Sequence, residues 1–132
     1  MIKRISTADM VPYIPEAKRA GICFAGKTTY YGYFCNDELA GFCGLLFYSN
    51  KVVIKSIYVR FEYRGRGIFK MLLSHLVDTS IAREYRIAEA TCTEMSIREF
   101  LSRGFVAVKR FKKYTKVKHE NIQQSQCVGR SA

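Results

Sequence analysis

Two arginines and two glycines alternate in a short turn that has the chemistry of an anion-binding site. This turn, Arg64-Gly65-Arg66-Gly67, follows a β-branched run from Lys51 to Val59 and precedes an apolar-periodic segment from Ile68 to Val77. Glycines let the backbone approach an anion closely, and the N–H groups at a helix start point towards it. The pattern therefore predicts a strand, a phosphate-binding turn and a helix, in that order.

The turn lacks the features of two other phosphate-binding loops. It contains no Gly-Lys-Ser/Thr, which a nucleoside-triphosphate loop requires. A dinucleotide-binding loop belongs to a doubly wound sheet, whereas the segments upstream of this turn predict an antiparallel meander. One structural alternative remains, in which the glycines only connect the strand to the helix.

The segments around the turn predict a sheet with helices on it. Before the turn, three β-rich runs separated by polar turns predict the meander: Tyr30–Cys35, Leu39–Tyr48 and Val52–Val59. After the turn, apolar residues at i, i+3, i+4 spacing from Ile68 to Val77 predict a helix. A strand over Arg86–Thr93 follows, and the intervening helix should make it parallel and adjacent to the strand before the turn.

The remaining segments complete the order. Ile2–Ser6 predicts a short first strand, and the next segment predicts a short or broken helix because it contains two prolines. Ser96 is typical of an N-cap with Glu99 completing a capping box, and Gly104 is typical of a helix end. Phe105–Val117 predicts a last strand or hairpin. The fold class is therefore α/β, with a mainly antiparallel sheet, one parallel junction and flanking helices.

Length and cysteine usage bound the class of protein. The 132 residues fit one domain, expected over residues 1–118, with a polar and flexible tail over 119–132. Five scattered cysteines without a Cys-x-x-Cys pair indicate reduced thiols in a cytoplasmic protein and no metal site. No apolar run approaches the roughly 18 residues of a membrane span, and no signal-peptide pattern is present. We therefore expect no membrane partner.

The net charge of +11 indicates a further anionic partner. It arises from 22 lysines and arginines against 11 acidic residues, which is more than one anionic cofactor requires. Nucleic acid, an acidic protein and an anionic surface are all compatible with it, and so is a basic surface that only aids solubility.

The densest basic segment lies near the C-terminus. Six cations fall within ten residues, with aromatic residues between them: Lys109, Arg110, Lys112, Lys113, Lys116 and Lys118. Lysines also protect edge strands from pairing, which is the structural alternative. Tyr31 and Tyr33 alternate on one strand and share a face, where they either pack or stack a base. The predicted substrate or nucleic-acid surface comprises Tyr31, Tyr33, Lys109, Arg110, Lys112 and Lys113.

The turn resembles the acyl-CoA-binding signature of the GNAT superfamily of N-acetyltransferases. That signature reads Gln/Arg-x-x-Gly-x-Gly/Ala after the fourth strand, and Arg64-Gly65-Arg66-Gly67-Ile68 matches it, with Phe69 at the last position. Gly104-Phe105 is similar to the Gly-Phe that closes the short fourth helix of this family. The resemblance covers about Tyr30 to Phe105 and implies a GNAT-like sheet with its parallel junction between the fourth and fifth strands.

The resemblance implies an N-acyltransferase that uses acetyl-CoA, or another acyl-CoA, as co-substrate without a metal. The residues it assigns to CoA are Ile57, Val59, Arg64, Gly65, Arg66, Gly67, Ile68 and Phe69. It also implies that the strand ending at Val59 splays from the next strand, with the pantetheine arm in the gap. A backbone N–H near Val59 would polarise the thioester carbonyl, and an amine would attack directly. The amine acceptor, which could be nucleic acid or protein, stays open, as does the oligomeric state.

The usual catalytic positions of the family carry other residues here. A tyrosine that serves many members as general acid is replaced by Phe100, and the strand from Lys51 to Val59 has no carboxylate. By location, the candidates for an acid or water-positioning role are Cys92, Thr93, Glu94 and Ser96. Each also has a structural explanation, such as core packing or an N-cap. A second interpretation is therefore a catalytically silent relative that binds nucleic acid or CoA.

Overall fold

The structure is a computed structural model that describes residues 1–22, 24, 26–82, 85–94 and 96–120. Within these residues, the strands are β1 (Ile2–Ile5), β2 (Thr29–Cys35), β3 (Glu38–Phe47), β4 (Lys51–Val59), β5 (Ile87–Cys92), β6 (Val106–Arg110) and β7 (Thr115–Glu120). The helices are α1 (Thr7–Met10), α2 (Ile14–Arg19), α3 (Ile68–Ala82) and α4 (Ile97–Ser102). Single 3-10 turns lie at Val11–Tyr13 and Phe61–Tyr63. None of these helices is long and apolar enough to span a membrane.

The strands form a sheet in the order β1-β2-β3-β4-β5-β7-β6. β1 and β2, β2 and β3, β5 and β7, and β6 and β7 pair antiparallel. β4 and β5 pair parallel, with Lys51–Ile54 opposite Ile87–Ala90. Helix α3 connects these two strands, because parallel neighbours need a crossover rather than a tight turn. The predicted fold class is confirmed, including the parallel junction between the fourth and fifth strands.

The chain divides into two compact units. The first comprises Met1–Leu46 and Lys55–Leu76, and the second comprises Phe47–Ile54 and the described residues from Val77 onward. β3, β4 and α3 each contribute residues to both units. The sequence prediction of one folded domain over residues 1–118 stays a prediction.

The core of the first unit lies between the sheet and the short helices α1 and α2. Met10 and Phe42 are fully buried, and the Tyr58 ring packs on Phe42 with centroids 5.7 Å apart. Gly41 allows the close approach of β3 to β4, because a Cβ there would lie 2.8 Å from the Tyr58 carbonyl oxygen. On α3, the stripe predicted from its periodicity is buried at Leu72 and Leu76.

The second unit buries one face of β5 and β7. The inward side chains on these two strands are Ala88, Ala90, Cys92, Thr115, Val117 and His119. Phe105 packs between α4 and β7, with its ring centroid 5.1 Å from that of Phe100 and 5.1 Å from that of His119. Gly104, at a φ of 91°, ends α4 as predicted, because this left-handed conformation strains any residue with a Cβ.

The last predicted strand is a hairpin that extends further than the sequence indicated. β6 and β7 pair antiparallel, and β7 runs to Glu120. His119 and Glu120 fall within the tail that the sequence predicts to be flexible, because they are polar. They are ordered by pairing with Ala88 and Ile87 of β5, which no local pattern reveals. The rest of the predicted tail, residues 121–132, lies outside the described residues.

Candidate functional site

The turn after β4 has the backbone that the glycines predicted. Arg64 is extended, with φ −70° and ψ 155°, and Gly65 and Gly67 have φ values of 80° and 78°. These left-handed conformations favour glycine over residues with a side chain. A Cβ placed on either glycine would meet no described atom within 4 Å. The backbone angle therefore requires these glycines, and the space beside them is open to an incoming group.

Helix α3 starts directly after the turn. It begins at Ile68, and its Met71 N–H donates to the Gly67 carbonyl oxygen at 3.2 Å. The first turn of an α-helix presents N–H groups that the helix itself does not bond, together with a partial positive charge. That first turn contains no acidic residue. The start of α3 therefore has the features that an anion site requires, and anion binding by the turn stays a prediction.

The two arginines of the turn occupy different positions. The Arg64 Nε donates to the Val59 carbonyl oxygen at 3.1 Å, and its guanidinium lies 5.6 Å from the Phe61 ring centroid. The Arg66 guanidinium lies 5.1 Å from the Tyr63 ring centroid. Both residues are exposed, and neither forms an ion pair with a carboxylate of the described chain. Arg64 therefore ties the turn to the end of β4, and both cations stay available to an anionic ligand.

A buried cation immediately before the turn was missed by sequence reasoning. Arg60 is only 8% exposed, and its Nη1 donates to Glu38 and to the Leu39 carbonyl oxygen, both at 2.9 Å. Its Nη2 donates to Glu62 at 3.2 Å, and a Glu16 oxygen lies 3.8 Å from its Nε. An arginine next to a basic turn is expected to be exposed, so the local sequence does not indicate that Arg60 is buried. The partners come from α2, from the start of β3 and from the 3-10 turn at Phe61–Tyr63.

Two tyrosines extend this group of charges. The Tyr58 hydroxyl donates to Glu16 at 2.6 Å, and the Tyr63 hydroxyl donates to Glu38 at 2.7 Å. The hydrogen bonds from Tyr63 and Arg60 lower the pKa of Glu38, while burial and the bond to Glu16 raise the pKa of Tyr58. We call these residues the Arg60 cluster: Arg60, Glu16, Glu38, Glu62, Tyr58 and Tyr63. The segment from Tyr58 to Tyr63 leads into the turn, and the contacts of the cluster hold it at both ends.

The end of β4 carries an irregularity that the sequence did not predict. β4 pairs with β5 from Lys51 to Ile54, and Ser56 follows with a φ of 61°. Few residues other than glycine adopt this conformation. Irregularities of this kind change the direction of the following peptide groups and often lie beside functional sites. Ile57 is half-buried and Val59 is buried beyond this point, at the positions assigned to CoA.

Tyr31 and Tyr33 lie on one face of β2, as the alternation predicted. Both are half-buried. The Tyr31 ring packs against the His75 ring of α3 with centroids 4.7 Å apart and an interplanar angle of 66°. This contact favours a packing role for Tyr31. Together with the end of β4 and the turn, these tyrosines belong to the first unit.

The candidate catalytic residues lie in the second unit, where β5 ends and α4 begins. The Thr93 N–H donates to the Ser96 Oγ at 3.1 Å, and the two hydroxyl oxygens lie 3.2 Å apart. Ser96 stands at the N-cap of α4, but its side chain makes no capping bond. The predicted capping box is therefore wrong, because the Ser96 hydroxyl bonds to Thr93 instead. Glu94 is exposed.

Cys92 faces the core. It is 1% exposed, and burial raises the pKa of its thiol to about 12. Phe100 is also buried, and its ring meets the Phe105 ring edge-on. Neither residue presents an acidic proton near neutral pH.

The predicted basic surface is also in the second unit. Lys109, Arg110, Lys112 and Lys113 are all exposed, on β6 and on the turn that connects it to β7. Over the residues that the structure describes, no group of three or more His, Cys, Asp or Glu side chains is arranged to hold a metal ion.

The sequence of elements and the turn together define the class of protein. Residues 3–105 match the family model described as the acetyltransferase (GNAT) family. This match covers well over half of the chain, and the chain therefore belongs to the GNAT family of acetyltransferases.

Solved structures share this fold at low sequence identity. The PaiA N-acetyltransferase from Thermoplasma acidophilum, in complex with coenzyme A, is 16% identical with a TM-score of 0.75, covering 91% of this chain and 98% of that chain. ElaA from Escherichia coli is 16% identical with a TM-score of 0.72, covering 91% of this chain and 100% of that chain. A GNAT family acetyltransferase from Elizabethkingia anophelis, with acetyl-CoA bound, is 12% identical with a TM-score of 0.70. The match covers 91% of this chain and 97% of that chain. No curated protein matches the chain significantly in sequence.

Proposed function

We propose that the protein is an acyl-CoA-dependent N-acyltransferase, with acetyl-CoA as the donor and an amine as the acceptor. The observation that carries this proposal is the turn at Arg64–Gly67, whose left-handed glycines and exposed arginines precede an α-helix in a GNAT chain. Coenzyme A or acetyl-CoA accompanies two of the similar structures, which supports the same ligand here.

The residues of the turn fit a diphosphate. Backbone N–H groups from Gly65 to Phe69 would bind its oxygens, with the partial charge of α3 adding to the attraction. Arg66 would add a cation, and Arg64 would hold the turn against the end of β4. Phe69, which replaces the glycine or alanine of the family signature, is half-buried rather than projecting into solvent.

The end of β4 would orient the acyl group. When bound, acyl-CoA supplies an activated acyl group that an amine can attack without a covalent enzyme intermediate. The conformation of Ser56 redirects the peptide groups that follow it, and one of the N–H groups near Val59 would donate to the acyl oxygen. The protein would thus contribute mainly orientation and a fixed hydrogen-bond donor.

Proton transfer would depend on hydroxyl groups and water. A general acid works best with a pKa near the working pH, and Cys92, with a pKa of about 12, is poorly matched to that role. Thr93 is exposed and its hydroxyl pairs with that of Ser96. We therefore assign Thr93 and Ser96 a water-positioning role rather than direct proton donation.

Calorimetry followed by a thiol-release assay tests this function. We expect acetyl-CoA to bind, and a set of polyamines, lysine-containing peptides and amino-bearing oligonucleotides to include an acceptor that makes thiol release amine-dependent. Gly67→Asp should abolish binding, because it adds a side chain and a negative charge at a left-handed position. Unchanged affinity in that variant would contradict the assignment of the turn.

A silent CoA-binding protein is the second candidate. Phe100, at the position of the usual acid, has no proton to donate, and the Cys92 thiol is buried, so neither residue can act as a general acid near neutral pH. Tight binding of acetyl-CoA without acceptor-dependent thiol release would favour this candidate. Failure to bind any CoA species would exclude both.

A further inference from the structure

In the described part of the second unit, the face of β5 and β7 opposite the core carries polar and basic side chains. On β7, Lys116 and Lys118 alternate with three buried residues and point to the opposite face. On β5, Glu89 and Thr91 likewise alternate with buried residues and point to this same face. Antiparallel pairing places these side chains side by side, since Glu89 lies opposite Lys118 and Thr91 lies opposite Lys116. This face therefore presents polar and charged groups rather than an apolar surface.

Positive charges lie next to each other at the edge of this face. β6 is the edge strand, and all five of its residues are exposed. Lys109 of β6 lies directly opposite Lys116 of β7. Like charges at directly opposed positions are unfavourable. A bound anion lying across the two strands would remove that repulsion.

Few carboxylates offset these cations. Glu89 is shared between Lys51 at 3.1 Å and Lys116 at 3.7 Å, and Glu120 lies 3.9 Å from Lys118. We call residues 106–120 the basic hairpin. It contains six lysines and arginines and one carboxylate. Its other four cations, Lys109, Arg110, Lys112 and Lys113, form no ion pair within the described part of the chain.

Aromatic rings are exposed among these cations. Phe111 is 49% exposed and Tyr114 is 44% exposed, at the turn between β6 and β7. The Phe111 N–H donates to the Tyr114 carbonyl oxygen at 2.7 Å, which holds the turn closed. The Lys109 Nζ lies 5.1 Å from the Phe111 ring centroid. Cations and ring faces are therefore presented together on a defined turn.

Edge protection does not account for this combination. A lysine or two is enough to discourage pairing at an edge strand, and exposed aromatic rings work against it. Cations that follow a phosphate backbone, interleaved with rings on which bases stack, are the usual means of binding single strands. An acidic protein would be attracted by the cations but has no need of the two rings.

We propose that the basic hairpin binds single-stranded nucleic acid. Lys109, Arg110, Lys112 and Lys113 contact phosphates, and Phe111 and Tyr114 stack on bases. This binding is separate from acyl transfer, so it stands whether or not the protein is an active enzyme.

Fluorescence anisotropy with a labelled single-stranded oligothymidine tests the proposal. In the full chain at low salt, Lys109→Gln with Lys112→Gln and Lys113→Gln should weaken binding at least about tenfold. It should also reduce the slope of log affinity against log salt by about 2, since each phosphate contact contributes about 0.7. The matched control is Arg4→Gln with Lys18→Gln and Arg19→Gln, which removes the same charge from exposed positions in the first unit and should have little effect.

A second pair of variants tests the rings. Phe111→Ala with Tyr114→Ala should weaken binding at least about fivefold at every salt concentration without changing the salt slope, because stacking carries no charge. Phe111→Trp should retain binding. Circular dichroism and thermal melting verify that each variant is folded, and unchanged affinity for acetyl-CoA provides a second check.

Three results would overturn the proposal. The first is no binding at low salt, and the second is equal loss of affinity in the two triple variants. The third is polyglutamate competing as well as the oligonucleotide while the ring variants bind normally, which would indicate an acidic protein partner instead.

Discussion

At the residue scale, Arg60 determines how the turn is held. Its guanidinium is buried, yet three carboxylates, a carbonyl oxygen and the Tyr13 ring, at 4.3 Å from the guanidinium carbon, surround it. A buried charge is tolerated only when it is paired and hydrogen-bonded. Arg60 meets that condition through Glu16 and Glu38, which are distant in sequence, and through Glu62, two residues away. The polar contacts around it connect α2 and the start of β3 to the turn.

Replacing Arg60 tests this role. Arg60→Met should lower the free energy of unfolding by about 1.5–3 kcal/mol, because the variant loses the charge-assisted hydrogen bonds to Glu38 and Glu62 and the bond to the Leu39 carbonyl oxygen. Chemical denaturation measures the change. Arg4→Met, at an exposed position, should change stability by less than about 0.5 kcal/mol. If both variants lose the same stability, the cluster is not structural.

We expect His119 to make the stability of the chain depend on pH. Burial lowers its pKa from the ordinary value of 6.5, so the folded state binds fewer protons than the unfolded state below that pH. Its contribution to stability should be complete above pH 6.5 and be lost as the pH falls through the lowered pKa. Melting temperature measured from pH 7.5 to pH 5 reports this slope.

A substitution isolates this titration from that of the acidic residues. His119→Gln should flatten the profile between pH 6.5 and pH 5, because the replacement does not titrate in that range. The variant should be less stable at pH 7.5 as well, since the imidazole packs against Phe105. An unchanged slope would assign the pH dependence to other groups.

At the element scale, the turn between β4 and α3 is defined by its glycines. The order of strand, turn and helix follows from local patterns: a β-branched run, two glycines and an apolar period of about 3.6 residues. These patterns were sufficient to predict where α3 lies and that a glycine turn precedes it. The bulge-like conformation at Ser56 could not be foreseen, because serine carries no preference for positive φ.

Gly67 links the shape of the turn to ligand binding. Gly67→Ala should destabilise the protein by about 1–2 kcal/mol, since its φ of 78° disfavours a Cβ. It should also weaken acetyl-CoA binding at least about tenfold, because the methyl group would enter the open space beside the turn. Melting temperature and calorimetry measure the two effects.

Gly26 provides the matched control. A Cβ at Gly26 also meets no described atom within 4 Å, and its φ is not left-handed. Gly26→Ala should therefore leave both stability and CoA affinity nearly unchanged. If it weakens CoA binding as much as Gly67→Ala does, the effect does not arise from the turn.

At the scale of the whole molecule, the C-terminal boundary of the folded chain is set by the pairing of β7 with β5. The sequence indicated a domain over residues 1–118, whereas β7 continues to Glu120. We propose that the folded part of the chain extends at least to Glu120. The last two residues of β7 pair with Ala88 and Ile87, and His119 is only 8% exposed.

Two truncations test this boundary. A chain ending at Glu120 provides the reference melting temperature. A chain ending at Lys118 should lose at least about 1 kcal/mol, or several degrees in melting temperature, because it removes a buried ring and two strand pairs. Equal melting temperatures for both truncations would support a boundary at residue 118 instead.

The sequence by itself determined the order of the elements, the glycine turn between β4 and α3 and the end of α4 at Gly104. Each of these is a local property. Helical and strand periodicity, and the need for glycine at positive φ, act over a few neighbouring residues and can be read without knowing the partners.

Only the tertiary structure decided which side chains meet. Glu38 lies 22 residues before Arg60 and becomes its partner because β3 and the end of β4 are brought together in the first unit. The Ser96 hydroxyl bonds to Thr93 instead of capping α4, and Cys92 turns into the core. Such contacts depend on strand register and on the crossing of distant segments. Local propensity does not specify either, because many registers satisfy the same alternation of apolar residues.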